Sequence, residues 1–132
     1  MVASAAAYSF ATIGKPEDNT WVFACLGLFL VAGFLEIVGG WFIWSYVKEN
    51  KPLWWALVGS ALLIGYGFVP TLQPAEAGEF GRVYAAYGCY FIVLSLGWAW
   101  AVESQKPDTG DLLGCALATV GAGLITFWPR PA

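Results

Sequence analysis

The chain has 132 residues, of which 59% are hydrophobic, 17% are aromatic and 11% are charged, whereas about 25% of residues in an ordinary soluble domain carry charge. This composition excludes an average soluble domain. The six Lys and Arg residues are scattered and the net charge is -3, which excludes a nucleic-acid-binding surface because no basic patch is available to neutralise phosphates. Histidine is absent, so we predict neither an enzyme nor a cofactor nor a metal site.

Four apolar segments of about spanning length follow an N-terminal tail, residues 1–19, that lacks the features of a secretory signal. They cover residues 20–47, 53–72, 83–102 and 112–128, and residues 129–132 form a C-terminal tail. Each segment is continuously apolar and is bounded by Pro, Gly or charged residues, which favours helices over the alternating strands of a membrane barrel. The connections are short, so neighbouring helices are expected to be antiparallel. The sequence predicts an all-α membrane protein, integral and multi-pass, with four transmembrane helices per subunit.

The positive charges are divided equally between the two sides of this four-helix arrangement. One side holds Lys15, Arg82 and Arg130, and the other holds Lys48, Lys51 and Lys106. With equal numbers on the two sides, the positive charges do not determine the orientation of the chain in the membrane. A protein that inserts in both orientations and forms an antiparallel homodimer would require such a balance. The chain also contains a single half-repeat, whereas many carriers combine two inverted halves. Counting noise in a short chain is the alternative explanation.

Glu36 lies near the middle of the first apolar segment, where an acidic residue costs several kcal/mol if it faces lipid. The residues three and four positions away are all small, namely Ala32, Gly33, Gly39 and Gly40. Such a stripe lets helices approach closely or leaves room for a cavity. Burial disfavours the charged carboxylate, so we expect Glu36 to hold a proton and to release it when a cation arrives. The alternative is a protonated glutamic acid that only supports packing.

The third segment places several aromatic residues on one helical face. The residues at this spacing are Tyr84, Tyr87, Gly88, Phe91, Ser95 and Trp98. A carboxyl group across the bundle is a natural partner for the tyrosine hydroxyls, and the rings would form a box for a cation. A packed aromatic stripe without a ligand is the alternative. Most of the eight Trp residues are interpreted as interfacial anchors, and Trp44 is assigned to the cation site.

The fourth segment carries a pattern of small residues typical of close helix packing. It consists of Gly114, Ala118 and Ala122, with Gly121 and Gly123 beside them. The pattern leaves open whether the packing partner belongs to the same chain or to a second copy.

The segment 81–88, G-R-V-Y-A-A-Y-G, resembles the signature of the YnfA family, small four-helix membrane proteins related to the small multidrug resistance exporters. Glu36, with Gly39, Trp44 and Lys48 after it, agrees in register, as does Asp111 with the glycines that follow it. The resemblance runs from about Cys25 to Trp128.

The resemblance implies an antiparallel homodimer that exchanges protons for a cationic or polyaromatic compound by alternating access. It also implies that Glu36 is the shared carboxylate for proton and substrate, that Tyr84 and Tyr87 are aromatic contacts, and that Gly88 is part of a kink in the third helix. The fourth helix would make the dimer contact through Gly114, Ala118 and Gly121.

We therefore predict a multidrug-efflux-type antiporter whose partners are protons, a cationic small molecule, membrane lipid and a second copy. The membrane would be the plasma or inner membrane of a prokaryote or an organelle membrane of a eukaryote. A structural or accessory subunit of a larger membrane complex, and a relative that has lost transport, remain alternatives.

Overall fold

The computed structural model describes residues 20–129, and these residues form four α-helices. They are α1 (Thr20–Lys48), α2 (Leu53–Phe68), α3 (Phe80–Ala101) and α4 (Thr109–Phe127). Loop 1 joins α1 to α2, loop 2 joins α2 to α3 and contains the 3-10 turns Val69–Leu72 and Ala75–Ala77, and loop 3 joins α3 to α4. The predicted N-terminal tail, residues 1–19, and residues 130–132 of the predicted C-terminal tail lie outside the described residues.

Each of the four spans is long and apolar enough to cross a membrane, the second one when the turn Val69–Leu72 is included. Helices satisfy all backbone hydrogen bonds within one segment, which a lipid environment requires. The predicted all-α architecture with four spanning helices is confirmed.

Three helix ends differ by more than one residue from the positions that hydropathy predicted. The α-helical part of α2 ends at Phe68 rather than at residue 72, and the chain continues as a 3-10 turn around Pro70, because proline has no N–H to donate. Helices α3 and α4 begin at Phe80 and Thr109 rather than at residues 83 and 112. The first turn of a helix accepts polar residues because its N–H groups need acceptors, so hydropathy places these starts too late.

The start of α4 is fixed by a reciprocal capping box. The Asp108 side chain accepts a hydrogen bond from the Asp111 backbone N–H at 2.9 Å, and the Asp111 side chain accepts one from the Asp108 N–H at 2.9 Å. Two backbone donors that the helix itself leaves unpaired are thereby satisfied.

The four helices are arranged as two hairpins. Helix α1 packs mainly against α2, and α4 packs against α3, while α1 and α3 connect the hairpins. Helices α1 and α2 approach most closely at Gly39 and Gly59. A Cβ added at Gly59 would lie only 2.7 Å from the Gly39 carbonyl oxygen, so the contact between these backbones requires glycine.

The buried core lies in the half of the bundle nearest loop 2. Its buried members are Phe29, Ala32, Val69, Val83, Ala86 and Tyr87. Helices α1 and α3 are therefore held together at this end, and the space between them in the other half is left for a cavity.

Candidate functional site

Glu36 is half-buried on α1 and faces the space between the hairpins. The small residues around it have different uses. Gly33 and Gly39 are buried against neighbouring helices, whereas Gly40 lines the cavity beside the carboxylate. The small-residue stripe thus provides close packing on one side of Glu36 and open space on the other.

Tyr87 of α3 donates a hydrogen bond from its hydroxyl to Glu36 Oε2 at 2.6 Å. The two residues meet because Gly33, one turn before Glu36, lets α3 approach α1. A Cβ added at Gly33 would collide with the Leu94 side chain and would lie 3.8 Å from the Tyr87 hydroxyl oxygen. A short hydrogen bond to a carboxyl oxygen is among the stronger polar contacts in a protein, so Tyr87 fixes the orientation of the Glu36 side chain.

An aromatic cluster separates this hydrogen bond from the loop 2 side. The Tyr87 ring centroid lies 5.6 Å from that of Phe29, 5.9 Å from that of Tyr66 and 5.8 Å from that of Phe91. Aromatic pairs at these distances stabilise packing beyond the area that they bury, so the carboxylate is reached from the cavity rather than through this cluster.

The cavity beside Glu36 has a volume of about 740 Å³, within the range of small-molecule sites. Its walls come from α1 and α3 with one residue of α2. They include Glu36, Gly40, Trp41, Trp44, Phe91 and Trp98. Glu49 and Glu103, next to the ends of α1 and α3, lie at the opposite end of the cavity from Glu36. Among the described residues, the wall contains three carboxylates and no Lys or Arg, so its charge favours a cation.

The structure divides the Trp residues between two surroundings, which the sequence left open. Trp41, Trp44 and Trp98 line the cavity, and the Trp41 and Trp98 ring centroids are 6.0 Å apart. Trp54 and Trp100 are exposed on the outer surface, as expected of residues at a membrane interface.

Two lysines at the loop 1 end of the bundle lie close to tryptophan rings. Lys48 Nζ is 5.7 Å from the Trp44 ring centroid, and Lys51 Nζ is 5.5 Å from that of Trp55. Lys51 Nζ also lies 3.9 Å from Glu49 Oε2. Of these two rings, only that of Trp44 lines the cavity, and the Lys48 ammonium lies within the distance of a cation–π contact to it.

The residues predicted to share one face of α3 differ in what they contact. Phe91, Ser95 and Trp98 line the cavity, and Tyr87 contacts Glu36. The Tyr84 ring stacks on Phe80 at 4.4 Å instead, so a substrate contact by Tyr84 stays a prediction.

The predicted kink also stays a prediction. Helix α3 is continuous through Gly88. A Cβ added at Gly88 would have no neighbour within 4 Å among the described residues.

The three residues assigned to a dimer contact share one face of α4 but differ in exposure. Ala118 is half-buried in the same stripe as Cys115, Ala122 and Ile125, and Ile125 packs against the core. Ala118 is thus turned inward, toward α3. Gly114 is exposed and Gly121 is half-buried. A dimer contact through Gly114, Ala118 and Gly121 stays a prediction.

Sequence reasoning did not assign Glu49, Glu103 or Tyr66 to the site. The sequence could have indicated the two glutamates, because each follows the end of an apolar segment and the two segments end on the same side of the membrane. For Tyr66, which contacts the Tyr87 ring, the sequence carried no comparable signal. Within residues 20–129, no group of three or more Cys, Asp or Glu residues is placed to hold a metal ion.

Comparison with known proteins identifies the family. Residues 22–131 match the family described as uncharacterised BCR, YnfA/UPF0060. A UPF0060 membrane protein of Herpetosiphon aurantiacus is 50% identical over 109 residues, which cover 83% of this chain and 98% of that protein. One of Synechocystis sp. is 52% identical over 102 residues, which cover 77% of this chain and 92% of that protein. No solved structure matches the chain. On the strength of these matches and the four spanning helices, the chain belongs to the YnfA/UPF0060 family of membrane proteins.

Proposed function

We propose that the protein is a proton-coupled exporter of small cationic or polyaromatic compounds that works by alternating access. The observation that carries the proposal is the position of Glu36. This carboxyl group lies at membrane depth, receives the Tyr87 hydrogen bond at 2.6 Å and faces a cavity of about 740 Å³ with tryptophan walls. An ionisable residue at such a position is a functional candidate because a purely structural role rarely offsets its cost in lipid.

Coupling follows from competition for one group. Glu36 is neutral when it holds a proton and negative when it has released the proton to a cation. A cationic substrate and a proton therefore exclude each other at the same carboxyl oxygens. Tyr87 keeps these oxygens turned toward the cavity in both states, since a carboxyl oxygen accepts a hydrogen bond whether or not the group is protonated.

The aromatic walls supply the attraction for the rest of the substrate. Trp41, Trp44 and Trp98 offer flat faces to a cation or a polyaromatic ring, and Trp is the best side chain for a cation–π contact. Glu49 and Glu103 raise the local concentration of cations at the opposite end of the cavity. A neutral polyaromatic compound gains only the contact with the rings, whereas a cation also gains the attraction of the carboxylates, so cations are favoured.

A second copy of the chain completes the transporter in this proposal. The cavity of one subunit extends toward loops 1 and 3, whereas the aromatic cluster around Tyr87 lies between Glu36 and loop 2. An antiparallel partner would present the same arrangement to the other side of the membrane. The exposed glycine of α4, Gly114, and its neighbour Gly121 are proposed to contact the partner.

The test is proton-coupled current in proteoliposomes with a panel of quaternary ammonium, guanidinium and polyaromatic cations. Wild type and Glu36→Gln are compared with Glu79→Gln, which removes an equivalent carboxylate at the start of α3, outside the cavity wall. We expect a substrate-evoked current that Glu36→Gln abolishes and Glu79→Gln preserves. No current from folded wild type, together with its comigration with a large assembly in mild detergent, would instead favour a structural subunit.

A further inference from the structure

Among the described residues, the cavity wall contains one hydroxyl group, that of Ser95 on α3. Ser95 Oγ donates its proton to the Phe91 carbonyl oxygen, one turn earlier, at 2.8 Å. A hydroxyl group has one proton to donate and two lone pairs that accept. Within residues 20–129 the structure gives Ser95 Oγ no donor. The oxygen is therefore available to a molecule in the cavity as an acceptor of a hydrogen bond.

Ser95 lies at about the same depth in the bundle as Glu36. Two contacts between α1 and α3 bracket this level. They are made by Gly33 with Leu94 and by Trp41 with Trp98. Counted from either contact, Glu36 and Ser95 differ by two positions, which is about 3 Å along the helix axes. A molecule in the cavity can therefore contact the Glu36 carboxyl group and the Ser95 hydroxyl oxygen at the same time.

We propose that Ser95 determines specificity by accepting a hydrogen bond from an N–H group of the substrate, so that the cavity prefers protonated primary amines to quaternary ammonium ions. This inference rests on the proposed function and specifies its substrate class. A primary ammonium group carries three N–H donors. One of them can donate to the Glu36 carboxylate while another donates to Ser95 Oγ.

The preference follows from what each kind of cation leaves unpaired. A quaternary ammonium ion has no N–H group. It gains the attraction of the carboxylates and the tryptophan rings, but it covers the Ser95 oxygen without giving it a donor. A polar atom that is shielded from water and left unpaired costs free energy. A site that hydrogen-bonds its substrate therefore discriminates against an analogue that lacks the donor.

Ser95→Ala removes the oxygen and keeps the small size of the side chain. Its matched control is Thr119→Val on α4. Thr119 Oγ1 makes the same kind of bond within its own helix, to the Cys115 carbonyl oxygen at 2.8 Å. Thr119 is exposed and lies outside the cavity wall. Both variants lose a hydroxyl group bonded to its own helix, and only Ser95→Ala changes the cavity.

The experiment measures Kd for benzylammonium and benzyltrimethylammonium by isothermal titration calorimetry in dodecyl maltoside micelles. The proteins are wild type, Ser95→Ala, Thr119→Val and Glu36→Gln, at a pH at which benzylamine is protonated. We expect Ser95→Ala to raise Kd for benzylammonium at least about threefold, the change that corresponds to one hydrogen bond after exchange with water. Kd for benzyltrimethylammonium, and both values in Thr119→Val, should stay at the wild-type level.

Two results would overturn the inference while leaving the proposed function intact, provided that Glu36→Gln abolishes binding of benzyltrimethylammonium. One is an unchanged Kd for benzylammonium in Ser95→Ala. The other is an equal rise in Kd for both compounds, which would assign Ser95 to the packing of the wall around Trp98, whose indole N–H has no acceptor among the described residues. Absence of binding of either compound to folded wild type would instead refute the proposed function and the inference with it.

Discussion

Gly59→Ala probes the backbone contact that positions Glu36. Its new Cβ would lie 2.7 Å from the Gly39 carbonyl oxygen and 2.8 Å from Ile43 Cγ1. Ordinary contacts of a Cβ begin at 3.4 Å, so the two helices must separate by the difference between 3.4 and 2.7 Å, about 0.7 Å. Neither close neighbour lies at the far end of a long flexible side chain, so relaxation must involve the helices themselves.

The expected cost of this overpacking is about 1–3 kcal/mol of unfolding free energy. Alanine also has a higher helix propensity than glycine, by about 1 kcal/mol. Gly65→Ala on the same helix shares that gain, but its Cβ would have no neighbour within 4 Å among the described residues. The difference in unfolding free energy between Gly59→Ala and Gly65→Ala therefore measures the clash alone. A difference of this size changes the unfolding equilibrium constant about 5-fold to 160-fold.

The assay is reversible unfolding in mixed micelles of dodecyl maltoside and SDS, followed by tryptophan fluorescence. Trp41 and Trp55, whose ring centroids are 5.5 Å apart, report on separation of α1 and α2. The same variants should differ in proton-coupled current, because Gly39 lies one turn from Glu36 and a shift of the contact moves the carboxylate. Equal stability of Gly59→Ala and Gly65→Ala would refute the close approach of these helices.

Further predictions concern the carboxylate, the α4 cap and the cavity entrance. Tyr87→Phe keeps the ring packing and removes the hydroxyl that donates to Glu36. The unfolding free energy should therefore fall by about 1 kcal/mol in the same micelle assay. An unchanged unfolding free energy would contradict a stabilising hydrogen bond. Asp108→Ala removes the N-cap of α4 and should destabilise its first turn by about 1 kcal/mol, seen as faster amide hydrogen exchange there, while equal exchange rates would argue against the capping box. Glu103→Gln should raise KM for a cation about twofold at low salt and have no effect at high salt, because salt screens exposed charges. Glu79→Gln is its control, and a salt-independent effect would refute the electrostatic explanation.

The sequence alone was sufficient for the architecture of the membrane domain. Four long apolar segments with short connections leave few alternatives to four spanning helices, because lipid requires every backbone group to be paired within the segment. The position of Glu36 in the first segment also identified it as the candidate site, since the cost of an acid in lipid applies wherever the helix is placed.

Tertiary structure decided which residues join Glu36. Tyr84 and Tyr87 are one turn apart on α3 and have the same sequence signal, yet only Tyr87 donates to the carboxylate, at the level where Gly33 brings α1 and α3 together. Likewise, only the fold distinguishes Trp98, which is half-buried in the cavity wall, from Trp100, which is exposed.

The same distinction explains the fourth helix. Gly114, Ala118 and Gly121 share one face of α4, yet Ala118 and Gly121 are half-buried and Gly114 is exposed. In water, the apolar face of a helix identifies its buried side, whereas in lipid the surrounding solvent is as apolar as the protein interior. Hydropathy therefore determined which segments span the membrane, and only the packing of the helices decided which of their apolar residues face each other.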